Sequence, residues 1–227
     1  MDTSGRVTDA VQECASAVVS VLRDGHHGRA VQLIADPTDT VRVAAVRVLG
    51  ADVLAPHALL GHETAAGDLE AARAAVAAFA PGPTAPVTTF WTYWGLCDAV
   101  RSIEPLGRRE APVARPDAAW VRDVPWPELA HRLALLAALA TPGSGDALTR
   151  ELSTRVSDVA RGFAWAVRRR DWLQAAGVGR WLTLLDGVPR SLSLDTGLEF
   201  VRHLGADADA RVDLHVQAAR MIREAHR

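Results

Sequence analysis

The sequence predicts an all-α fold of stacked antiparallel helix pairs, and three observations carry that prediction. Hydrophobic residues make up 49% of the 227-residue chain but aromatic residues only 5%, so alanine and leucine, strong helix formers, dominate the candidate core. The β-branched residues occur singly inside helical patterns, not in the alternating runs that a half-buried strand needs. Gly and Pro interrupt the apolar periodicity at short intervals, leaving segments of about 10 to 17 residues. Many helices joined by short connections favour pairs stacked on their neighbours. At an expected ~40 residues per repeat, five or six pairs would curve around one concave groove. Residues 1–227 read as one domain, with no domain-scale linker.

In chain order the helical segments fall at about 6–23, 27–35, 39–49, 52–60, 68–80, 87–103, 117–123, 127–140, 146–155, 157–170, 172–185, 194–204 and 208–225. Their limits are set by Asp36-Pro37, Gly50, Pro81-Gly82-Pro83, Pro105 to Gly107, Pro125-Trp126-Pro127, Pro142-Gly143, Gly187 to Pro189 and Gly205. His26-His27, beside Gly25 and Gly28, reads as a solvated turn, and the turn-rich stretch from Pro105 to Pro116 as a surface loop. Asp36-Pro37-Thr38-Asp39-Thr40-Val41-Arg42, followed by Ala44-Ala45 and Leu49-Gly50, resembles a HEAT repeat. In that pattern the Asp-Pro turn caps the second helix and the alanine pair permits close packing.

Composition narrows the function classes. Cys14 and Cys97 are far apart in apolar helical contexts, which gives no disulfide framework and no repeated metal spacing, so a reducing cytoplasm is expected. Met1 to Arg6 are polar and lead into a segment with Asp9 and Glu13, unlike an export signal. No stretch approaches the ~20 uninterrupted apolar residues of a membrane span. Phe90 to Cys97 is short and soon reaches Asp98 and Arg101. The net charge of −2 argues against nucleic acid, but residues 88–190 hold 14 Arg against 11 acids, a balance of +3 that leaves −5 for the rest. All 25 basic residues are arginine, for which a GC-rich coding bias is a simpler account than phosphate binding.

The second half has tryptophan where an ordinary core would use leucine. Trp94 and Asp98 lie at i and i+4, so the indole and the carboxylate share a helix face. Arg132 lies in the helix after Pro127, and Trp165 and Arg168 share a face at i and i+3. These groups can converge if the helices stack in sequence order. As plain structure, Trp94 and Trp165 would be core fillers, Asp98 an exposed acid and Arg132 a surface cation.

Thr92-Tyr93-Trp94-Gly95-Leu96-Cys97-Asp98-Ala99-Val100, then His131-Arg132-Leu133-Ala134-Leu135-Leu136, then Gly162-Phe163-Ala164-Trp165-Ala166-Val167-Arg168 resemble successive motifs of the AlkD-type HEAT-like alkylpurine DNA glycosylases. With Ser191-Leu192-Ser193 and Leu198 the resemblance covers residues 88–203, while the first 87 residues match only as generic helix pairs. Gly95 and its less polar neighbours depart from the pattern. The resemblance implies a monomeric enzyme, free of metal and cofactor, that acts on duplex DNA at the bacterial nucleoid. It would excise cationic N3- or N7-alkylated purines, bulky ones included, in repair; the GC-rich coding bias also permits self-resistance to an alkylating metabolite. It assigns Asp98 to stabilising an oxocarbenium-like sugar and delivering water, and Trp94 and Trp165 to packing on the damaged nucleotide. Arg132, Arg168 and Arg169 would hold phosphates.

Other candidates read as structure. His57, His62 and Glu63 have poor helical spacing for metal ligands. Trp120, Trp126, Trp172 and Trp181 read as packing residues, with Trp126 a possible flank of the groove. Arg168-Arg169-Arg170 is either a solvated helix end or a phosphate clamp. A non-catalytic HEAT scaffold that binds DNA or a protein is the alternative function.

Overall fold

The computed structural model describes residues 3–24, 32–34, 36, 38–105 and 111–226. His26-His27, Pro37 and Gly107, read above as turn residues, lie outside the described residues, as does most of the helix expected at 27–35. The chain is all-helical, with no strand among the described residues, and it divides into two compact units, Met1–Pro116 and Asp117–Arg227. The division falls at the end of the turn-rich stretch 105–116.

The first unit contains α1 (Thr3–Asp24), α2 (Thr40–Leu49), α3 (Ala55–Leu60), α4 (Ala66–Ala78) and α5 (Val87–Ile103), with a 3-10 turn over Gly50–Leu54. Helix α2 begins where the sequence places it. The Asp39 carboxylate accepts from the Val41 amide at 2.9 Å, and Asp36 accepts from the amide and hydroxyl of Thr38 at 2.9 and 2.7 Å. That hydroxyl and amide hold the Asp36 carboxyl below its usual range. Val43, Ala45, Val46 and Leu49 make the buried side of α2, which packs on α1 and α4. From Thr40 to Leu60 the helical run is 21 residues, long and apolar enough by composition to cross a membrane, but 56% of its most apolar window is buried inside the unit. Cys14 is buried on α1, and desolvation pushes its thiol up against the opposing Arg42.

Residues 32–34 are not helical, although the apolar pattern at 27–35 predicts a helix. The physical reason is Asp68. It lies buried on α4 and takes the Leu33 amide on both carboxylate oxygens at 3.0 Å and the Ile34 amide at 2.7 Å. Those amides would otherwise donate along a helix. A charge-assisted bond to a buried carboxylate satisfies them without one.

The second unit contains α6 (Trp120–Asp123), α7 (Trp126–Leu135), α8 (Asp146–Leu152), α9 (Val156–Arg168), α10 (Trp172–Leu182), α11 (Leu194–Gly205) and α12 (Ala210–Ala225), with 3-10 turns at Ala137–Leu139 and Arg190–Leu192. Helix α10 is its centre, buried continuously from Ala175 to Leu182 and packed on α7, α9, α11 and α12. Small residues make that possible: a Cβ at Gly177 would stand 3.0 Å from Ala134 Cα and 3.2 Å from its carbonyl oxygen. Trp181 is fully buried and donates from Nε1 to the Leu133 carbonyl at 2.9 Å.

Beside it, Arg180 is also fully buried. Its Nε donates to the Ala140 carbonyl at 3.0 Å and its Nη2 to the Thr141 hydroxyl at 2.9 Å. Nη1 lies 3.4 Å from His215 Nδ1 on α12, and because a guanidinium only donates, that ring nitrogen accepts. Arg155 makes a similar tie at the edge of the unit, donating from Nη1 to the Val121 and Val124 carbonyls at 2.7 Å each while pairing with Asp158. At the surface the Arg122 guanidinium holds the Glu151 carboxyl below its usual range, and Arg202 with Arg220 does the same to Glu199.

Two outcomes test these anchors. Asp68→Ala leaves two amides without their acceptor and should lower stability by about 2–4 kcal/mol in denaturant titration. Burial raises the Asp68 carboxyl, with the Leu33 and Ile34 amides opposing it. Such a group contributes stability that is full below its unfolded value and is lost as pH climbs through its raised folded value. Asp68→Asn should therefore flatten the stability curve just above the ordinary carboxylate range. Arg180→Ala should cost about 3–5 kcal/mol, because it strips a buried network of its donor. A loss under about 1 kcal/mol would show that α10 is not anchored through this side chain.

Candidate functional site

The residues expected to carry chemistry divide between the units: Trp94 and Asp98 belong to the first, Arg132, Trp165, Arg168 and Arg169 to the second. Helix α5 occupies the predicted span 87–103 and starts directly after Pro86, whose missing N–H costs nothing at a helix entrance. It runs unbroken through Gly95, which is buried.

On α5, Trp91 is fully buried and Trp94 meets it edge to face, with ring centroids 5.5 Å apart and planes at 82°. Trp94 is only 8% exposed, yet its ring and the Asp98 carboxylate both line a cavity of about 370 Å³, within the range that takes a nucleobase-sized ligand. The i, i+4 reading of these residues is thus realised as a shared wall. Val76 and Ala77 of α4 and Ala80 just after it form part of the apolar wall, and Tyr93 and Cys97 lie beside Trp94 and Asp98.

Two ion pairs edge this cavity. Arg101 Nη2 donates to Asp98 Oδ1 at 2.8 Å, and Arg73 Nε of α4 donates to Glu104 Oε1 at 2.6 Å. The Asp98 and Arg101 side chains keep 29% and 39% of their surface exposed, so their attraction is screened and worth little net stability. The carboxylate therefore faces the cavity with a cation beside it, and that cation can turn to an incoming anion at small cost. Arg101 was legible at i+3 from Asp98. Arg73 and Glu104 were not, since a separation of 31 positions carries no spacing signal.

In the second unit, Arg132 is partly buried on α7. It pairs with Glu128 one turn earlier and lies over the Trp120 ring, 5.1 Å from its centroid. A phosphate contact by Arg132 thus requires release from Glu128. Trp165 of α9 is 42% exposed and stands edge to face against Trp126 of α7, centroids 6.2 Å apart and planes at 87°. Arg161 lies 5.6 Å from the Trp126 centroid. Trp126 is therefore part of this surface and Trp120 supports Arg132, whereas Trp181 and Trp172 pack as structure, the latter against Phe200 at 6.0 Å. Arg168, Arg169 and Arg170 are exposed where α9 ends, and Arg170 has a left-handed backbone with φ of 58°.

The α7–α9 contact that sets the two tryptophans together depends on Gly162. A Cβ there would stand 2.5 Å from Ala130 Cβ, so only glycine lets the helices meet this closely. Elsewhere, His57 Nδ1 lies 2.9 Å from the His62 carbonyl oxygen, and among the described residues no three His, Cys, Asp or Glu side chains gather as metal ligands.

Comparison with protein-family models, with curated proteins and with solved structures finds no match. The molecule is thus defined by its own features: an all-α protein with an arginine-edged cavity in one unit and an exposed tryptophan–arginine surface in the other.

Gly162→Ala should destabilise the second unit by about 1–3 kcal/mol through overpacking. An unchanged melting temperature would show that α7 and α9 can separate without cost.

Proposed function

We propose that the protein is a DNA glycosylase that removes cationic N3- or N7-alkylated purines from duplex DNA, in repair or in self-resistance to an alkylating metabolite. The observation that carries this reading is the Asp98 carboxylate and the Trp94 ring on the wall of one open cavity, with Arg73 and Arg101 at its edge. In this reading the helix pairs are HEAT-like repeats. Packing between successive helices within each unit supports it.

The chemistry asks for little acid catalysis, because the alkylated purine already carries positive charge. As the glycosidic bond breaks, its electron pair leaves with the purine, which becomes neutral, and the charge moves to the sugar. Water then adds at the sugar carbon and loses a proton. A fixed carboxylate beside that carbon gains attraction only as the bond breaks, so it lowers the barrier without tightening substrate binding. Trp94 supplies a wall for the nucleotide and cation–π attraction. Arg101, released from Asp98, would take a phosphate and leave the carboxylate's full charge to the sugar. Arg132, Arg168 and Arg169 position the backbone without reading sequence.

The pairing of Asp98 with Arg101 and of Arg132 with Glu128 favours a second reading, a non-catalytic HEAT-repeat scaffold whose charges are already answered. Excision assays on duplex DNA containing 7-methylguanine separate the two. Asp98→Asn should leave folding and DNA binding intact while the rate of base release falls on the order of 10² or more. Wild-type rates in that variant would remove Asp98 from the mechanism. Binding by the wild type without release of any cationic purine would establish the scaffold.

A further inference from the structure

Arg73 and Glu104 stand at the edge of the first unit's cavity, where no motif gives them a part in the chemistry. Arg73 projects from α4, and Glu104 closes α5 as its C-terminal cap. The Glu104 side chain keeps 7% of its surface exposed and the Arg73 side chain 42%, so a nearly buried acid holds a guanidinium that reaches solvent. A carboxylate taken that far out of water requires a partner, and neutralising it is the plain structural role of Arg73. The bond is made through Nε, which donates to Glu104 Oε1 at 2.6 Å. A guanidinium is a rigid plane with five N–H donors, so holding Nε orients the plane and leaves the donors of Nη1 and Nη2 over. Among the described residues neither of these nitrogens has a hydrogen-bond partner.

Arg73 differs in this from the paired arginines given phosphate roles above. Arg101 meets Asp98 through Nη2 and Arg132 meets Glu128 through Nη2, so each must leave its acid before that end of the guanidinium can take an oxyanion. Arg73 can take one with its own pair intact. The edge formed by Nη1 and Nη2 matches two oxygens of a phosphate, and an edge already oriented loses less freedom on binding. We propose that Arg73 is the primary phosphate contact of this cavity, gripping through Nη1 and Nη2 a phosphodiester that flanks the nucleotide at Asp98, and that Glu104 is the positioning residue that aims it. This rests on the duplex-DNA reading of the same cavity. The phosphates of a duplex already face outward, so the contact asks for no change in base stacking. It anchors the backbone while the Asp98–Arg101 pair is still closed, so Asp98 is uncovered only once the lesion is seated. A free nucleotide carries the same phosphate chemistry and is the other source of such a ligand.

The test is fluorescence anisotropy of the full chain with an undamaged labelled duplex across a salt series, beside single-turnover excision from the same duplex carrying 7-methylguanine. Arg73→Gln should lower the slope of log affinity against log salt by about 0.9, the share of one phosphate contact on B-DNA. That variant strands the Glu104 charge, so the double variant Arg73→Gln with Glu104→Gln, which removes both charges, is measured with it and should show the same loss, circular dichroism confirming the fold of each. Glu104→Gln alone keeps the Arg73 charge but loosens its hold. Its duplex affinity should match or exceed that of the wild type, while the saturating rate of base release falls about ten-fold, as lost orientation implies. A role in stability alone would lower the melting temperature and leave that rate unchanged. An unchanged slope in both Arg73 variants, or a wild-type rate in Glu104→Gln, would each overturn the proposal. Adenosine monophosphate, followed by tryptophan emission, should bind far more weakly than the duplex. Tighter binding than the duplex, lost in Arg73→Gln while the duplex slope stays, would assign the contact to a free nucleotide and overturn its role on DNA. A wild type that releases no cationic purine, with the Arg73 slopes as expected, sinks the glycosylase reading alone, and excision that persists with unchanged slopes sinks the Arg73 contact alone.

Discussion

The second unit is organised around a positive charge taken out of water. A guanidinium with no exposed surface has lost its hydration, so every donor needs a protein acceptor in the right place. Arg180 finds them in the Ala140 carbonyl and Thr141 hydroxyl on one side and in His215 of α12 on the other. This explains why the chain leaves helical geometry just after Leu135: a carbonyl committed to an intact helix would be less open to a side-chain donor from α10. Helix α10 is thereby fixed both along its axis and in rotation. Gly177 then meets Ala134 of α7 and Gly179 meets Phe163 of α9 closely, and the position of the Trp126–Trp165 pair follows from that packing.

The helical class was legible because it depends on local periodicity and on Gly and Pro punctuation, which the chain carries plainly. Helix α5 occupies its predicted span, and α2 starts at its predicted cap because Asp39 acts locally. The failure at residues 32–34 has the opposite origin. Asp68 lies about 35 positions downstream of the amides it binds, and no local pattern announces such a bond. At α6 the cause is local: the pattern places a helix at 117–123, but Asp117 turns its carboxylate to the Ala119 amide and the helix starts at Trp120.

The candidate site was legible to the same degree. Trp94 and Asp98 share a face by spacing and line one cavity, and Trp165 is exposed. The motif leaves out that its charged members have company. Asp98 with Arg101 and Arg132 with Glu128 are i+3 and i+4 pairs that a helix forms by default. In the folded chain Asp98 and Arg132 are paired charges, each of which must be drawn from its neighbour before it can act. Such pairing keeps a carboxylate and several cations soluble on apolar surroundings and makes their exchange for a charged ligand nearly balanced in energy.

Arg170 stands at the turn between α9 and α10 with a left-handed backbone, a conformation in which any side chain but glycine's is crowded. The cost is of order 1 kcal/mol, borne by a residue with no packing to offset it. Glycine in its place would make the turn easier and the protein more stable, while removing the last of three consecutive cations. The turn therefore sets backbone ease against surface potential, and at this position the chain carries the charge.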